Sequence, residues 1–161
     1  MKELSRGVLY AVPLAPDIYY FFSMNTIQVF AQVNWIAVVL GAVFSMLLGF
    51  LWYGPLFGKL WLRSIGKKQE ELSSNAGMYV FAFLAALVSA YVLAVLVAAL
   101  GVTVWWRGAV LGALVSVGIG SMAALVNGIF HRNSGVAWLL FALYQLVLNT
   151  AEGLVFTVWR L

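Results

Sequence analysis

One carboxylate stands apart from the other acids of this chain. Glu152 lies in a stretch, 133–159, that carries no other charged residue. Gln145, Asn149 and Glu152 follow an i, i+4, i+7 spacing, which puts all three on one face of a helix. Counted back from Arg160 at 1.5 Å per residue, Glu152 sits about 12 Å inside the stretch. An ionised acid at that depth in hydrocarbon is expensive, so such groups turn toward the bundle interior and find partners. The side chain is therefore expected to be held in its neutral form and hydrogen-bonded across helices. At a similar depth the other apolar stretches offer Ser45, Tyr91 and Ser116. Two chemistries stay open for this cluster. It is either interhelical glue, at about 1–2 kcal/mol per bond, or a binding site for a proton, a cation or a small polar ligand on a translocation path. Asn127 is either a further station on such a path or a local helix contact.

Other chemistry finds little support. His131 is the sole histidine and cysteine is absent, so no metal site can be completed within the chain and no disulfide can form. The histidine reads as a loop residue in the turn His131-Arg132-Asn133-Ser134. No serine has a base and an orienting acid that the sequence can place beside it. The expectation is a non-enzymatic protein without a cofactor. A formal charge of +4, spread along the chain, does not suggest nucleic acid.

The elements that position Glu152 follow from composition. Hydrophobic residues make up 65% of the 161, charged ones 9%, and mean hydropathy is +1.02. Soluble domains carry about 25% charged residues, so the solvent for this chain is lipid. Residues 18–58, 72–106 and 108–130 hold no charge at all. A membrane-crossing helix needs about 20 apolar residues. The expected fold is an all-α integral membrane bundle of four transmembrane helices, near 33–55, 76–100, 105–130 and 136–159. Asn34, Asn75, Thr103 and Ser134 are the expected N-caps, and Gly54-Pro55 is expected to stop the first helix. Barrel strands would alternate, and these stretches do not. Trp35, Trp52, Tyr53, Trp61, Trp105, Trp106, Trp138 and Trp159 fall at or near span ends, where aromatic anchors meet the membrane interface.

Orientation follows the positive charges. Lys59, Arg63, Lys67 and Lys68 follow the first span, and Arg132 lies in the third turn; Arg107, Arg160, Lys2 and Arg6 fall on the other side. This places the protein in the inner (cytoplasmic) membrane, with both hairpin loops in the cytoplasm and both termini outside. Residues 1–32 form an N-terminal extension, read as interfacial or partner-docking, with a fifth span as the alternative; 33–161 are the transmembrane domain.

Small residues recur every four positions in three spans: Ala37, Gly41, Ser45, Gly49; Ala82, Ala86, Ala90, Ala94, Ala98; and Gly108, Gly112, Ser116, Gly120, Ala124, Gly128. Such stripes let membrane helices approach closely. Spans one and three also share a pattern. Trp35, Val39, Leu40, Gly41, Ala42, Ser45 and Gly49 align with Trp106, Val110, Leu111, Gly112, Ala113, Ser116 and Gly120. A duplicated helical hairpin would produce it.

Asn34-Trp35, followed by Leu51-Trp52-Tyr53-Gly54-Pro55-Leu56-Phe57-Gly58-Lys59-Leu60-Trp61, resembles the signature of small bacterial membrane proteins catalogued as domain of unknown function 1761. The resemblance covers residues 33–160 and implies a small polytopic protein, without supplying an activity. The leading functional expectation is a structural or accessory subunit that packs against itself or against a larger membrane complex. The alternative is a small oligomeric transporter or channel built on Glu152, Asn149 and Gln145.

Overall fold

The computed structural model describes residues 26–72 and 75–159, and every regular element in them is helical. Most of the N-terminal extension, with Lys2 and Arg6, lies outside the described residues, as does Arg160. A short helix, α1 (Thr26–Ala31), leads into the first span, α2 (Trp35–Leu51). An amphipathic helix, α3 (Gly58–Ile65), and a 3-10 turn (Gln69–Glu71) connect it to the second span, α4 (Ala76–Ala99). The third span is α5 (Trp105–Val115) and α6 (Met122–Phe130), joined by a π turn (Ser116–Ser121). The fourth is α7 (Gly135–Val158). Four helices are thus long and apolar enough to cross a membrane: Trp35–Leu56, Ala76–Ala99, Trp105–Phe130 and Gly135–Val158. Their outward faces carry large apolar groups such as Phe50, Phe81 and Phe130, as side chains solvated by lipid should be.

Three of the four expected caps form. The Asn34 side chain accepts from the amides of Ile36 and Ala37, Asn75 from Met78, and Ser134 from Val136. Thr103 does not cap the third span. Val104 holds the extended backbone just ahead of the helix, and its carbonyl accepts from Arg107 and Gly108. Thr103 therefore falls one residue too early.

The first span ends at Leu56, one residue past Gly54-Pro55, through a widened last turn and not a clean break. The chain widens into a π turn, Trp52–Leu56, with Pro55 inside it, and the Phe57 amide donates to the Trp52 carbonyl at 2.9 Å. A proline ring clashes with the carbonyl four residues back in an α-helix. A wider turn closed by i→i+5 bonds relieves that clash, and the helix ends one residue later, at Leu56.

Spans two and four meet at the centre, with span one against both and span three packed chiefly on span four. The main core gathers Val33, Ala37, Val38, Ala90, Leu93, Val97 and Phe156. Span four therefore has two neighbourhoods, and they differ sharply.

Candidate functional site

On one side, span four seals against span three. A Cβ built on Gly112 would strike the Asn149 carbonyl, one on Gly108 the Gly153 carbonyl and Thr157 Oγ1, and one on Gly153 the Gly108 carbonyl. Only glycine lets the two backbones come this close. Beyond Ser116 the π turn inserts an extra residue, so Ser116 and Ser121, five apart, both point inward. The regular four-residue stripe through Gly120 consequently fails. Gly120 is rotated partly outward, and a Cβ there would meet only Gln145 Nε2, at 3.9 Å. The hydroxyls of Ser116, Ser121 and Thr150 are buried without a hydrogen-bond partner. The Trp138 indole donates to the Ser121 carbonyl at 2.8 Å and ties span four to the end of the π turn.

On its other side, span four borders an open groove of about 1090 Å³ between spans one, two and four. Gln145, Asn149 and Glu152 all line it, together with Ser45 and Gly49 of span one. Glu152 is 3% exposed, and its Oε1 would lie 3.2 Å from a Cβ on Gly41. None of the Glu152, Asn149 or Gln145 side chains makes a hydrogen bond or ion pair to any described residue. The expected cross-helix bond from Glu152 does not form. A polar link between spans one and four comes instead from Tyr144, whose hydroxyl donates to the Ser45 carbonyl at 3.0 Å and pairs with Ser45 Oγ at 2.9 Å.

Two residues grouped with Glu152 on depth alone lie elsewhere. Tyr91 turns to the far side of span two, where its ring stacks on Trp35 at 5.0 Å and on Phe30 at 6.3 Å. Ser116 is fully buried in the seam with span three. The groove instead draws Ser89 from span two, two residues from Tyr91 and so about 200° around the helix. Tyr144 was recognisable in principle, because it lies eight residues before Glu152 on the same helix face. His131 stays at the surface, its Nδ1 2.9 Å from the Asn127 carbonyl. Among the described residues no group of three or more His, Cys, Asp or Glu side chains is placed to hold a metal ion.

Residues 36–157 match the family model described as "Protein of unknown function (DUF1761)". The chain belongs to the DUF1761 family. It is also 30% identical, over 114 residues, to a UPF0591 membrane protein of Schizosaccharomyces pombe, a match spanning 65% of this chain and 74% of that protein. No solved structure matches the chain significantly.

In this DUF1761 protein the Trp-Tyr-Gly-Pro-Leu-Phe-Gly-Lys run has a clear physical role. It is the π turn and the re-entry into α3 that close one end of the groove. The Trp52 indole donates to the Leu140 carbonyl at 3.2 Å, so an expected interface anchor also ties span one to span four. Tyr53 packs edge-on to Trp61 at 5.5 Å and lies 5.7 Å from the Tyr144 ring. Gly58 is required where it stands, since a Cβ would come 2.7 Å from the Tyr53 carbonyl oxygen. Trp35, Trp105, Trp106 and Trp159 remain exposed at the opposite end, with the Arg107 guanidinium 5.5 Å above the Trp106 ring.

Proposed function

We propose that this membrane protein is a non-enzymatic solute-binding or transport protein whose site is the groove beside Glu152. The observation that carries the reading is a buried carboxylate with no hydrogen-bond or ion-pair partner among the described residues, on the wall of an open space between helices. Intramembrane acids are costly and mark solute and proton paths when they face a cavity. Asn149 and Gln145 on the same wall add hydrogen-bonding capacity that the fold leaves unused. In the working orientation both hairpin loops face the cytoplasm, supported by Lys59, Arg63, Lys67, Lys68 and Arg132. Purified protein reconstituted into liposomes should pass protons or a small solute down a gradient, and Glu152→Gln should change that flux. Absence of flux under every gradient would remove the transport reading.

A second reading, an accessory subunit, has its own support. Ala82, Ala85 and Ala86 present a small-residue wall to the groove, with no helix of the described residues filling it, and such walls accept a partner helix at close range. The chain has no cysteine, so a single Ala82→Cys variant gives a clean readout. Rapid disulfide dimerisation in membranes, or crosslinking to another chain, supports a helix in the groove; a freely alkylated thiol with a monomeric mass in mild detergent argues against it.

A further inference from the structure

We infer that the groove takes a lipophilic organic cation, a class of ligand that presupposes the solute-binding reading above. Three properties of the groove select it. The first is charge. Glu152 is the one carboxylate among the described lining residues, and no lysine, arginine or histidine joins it. A cation beside Glu152 favours its charged form and pairs with it, whereas an anion or a neutral solute would leave the carboxyl neutral and gain no charge partner there.

The second is size and wall chemistry. A space of about 1090 Å³ matches the upper end of sites for drug-sized molecules, about 300–1,000 Å³. A small inorganic cation wants several oxygen ligands at short range, and among the described residues no further acidic side chain joins Glu152 to supply them. A cation whose charge is spread over an apolar body is desolvated cheaply and fills such a space. The third is the aromatic lining. Tyr53, Trp61, Phe141 and Tyr144 border the groove, and aromatic faces attract cations most strongly where water is excluded. Opening toward lipid suits a ligand that already partitions into the bilayer.

Tetraphenylphosphonium and tetraphenylborate share shape and apolar surface but differ in the sign of their charge. The test is equilibrium dialysis of the full chain in mild detergent against each ion. Tetraphenylphosphonium should bind saturably and tetraphenylborate should not. Glu152→Gln, verified to stay monodisperse with an unchanged melting profile, should weaken binding about tenfold or more, as loss of one member of a desolvated charge pair does. Ser89→Leu, which narrows the groove from the opposite wall without touching the carboxylate, should also weaken it. Equal binding of both ions, or an unchanged affinity in the Gln variant, would overturn the inference. If neither ion binds while Glu152-dependent flux persists in liposomes, the ligand class is wrong and the transport reading survives. If tetraphenylphosphonium binds as expected without any flux, the ligand class stands and transport falls.

Discussion

Span four shows two ways of meeting a neighbour. Toward span three, glycines on both helices bring backbone against backbone, and the contact leaves no room for a methyl group at Gly108, Gly112 or Gly153. Toward spans one and two, at the level of Gln145, Asn149 and Glu152, the same helix borders open space. Helices in lipid gain nothing from hiding apolar surface, so association rests on close packing and polar bonds. The seam uses the first and the Tyr144–Ser45 link the second. The wall formed by Gln145, Asn149 and Glu152 uses neither, and these three side chains have no hydrogen-bond partner among the described residues. A helix clamped on one side can keep a polar face open on the other.

The contrast is most easily broken at the seam. Gly112→Leu should destabilise the bundle by about 3 kcal/mol or more, at the upper end of overpacking effects, since the obstacle is the Asn149 backbone, which cannot rotate away. The check is recovery of monodisperse protein from detergent extracts, expected to fall severely. Tyr144→Phe should act more mildly. Losing its bonds to Ser45 should lower stability by about 0.6–2 kcal/mol, measured as the shift in thermal unfolding in detergent. Gly41→Ala should have the smallest effect. The added methyl would stand 3.2 Å from Glu152 Oε1 and from Phe156 Cζ, both side-chain ends able to shift, so the melting profile should move by less than about 1 kcal/mol. A Gly41→Ala loss as large as that of Gly112→Leu would erase the distinction between seam and groove.

Much of this architecture is legible in the residues. Stretches poor in charge show that there are four spans, because hydrocarbon punishes an unpaired charge, and caps and breakers then place the spans to within two residues of their observed ends. The glycines of the seam are visible in their spacing. Depth along a helix is also legible, which is how Ser45 joins Gln145, Asn149 and Glu152 at the groove. Facing is less so: Tyr91 sits near the right level but on the wrong side of span two, and Ser89 takes its place at the groove. The π turns elude periodicity altogether. One holds Pro55 in the last turn of the first span. The other shifts the stripe from Gly120 to Ser121. The groove depends on how far apart three helices settle, which no single-helix pattern encodes.

The account turns on Glu152 having no partner among the described residues and being reachable from the lipid phase. Dicyclohexylcarbodiimide, an apolar reagent for carboxyl groups within the bilayer, tests this directly on the protein in native membranes, with the adduct located by peptide mass spectrometry. Modification at Glu152, reduced when Ser89→Leu narrows the groove, is the expected result. A Glu152 that stays unmodified until the protein is denatured would contradict it.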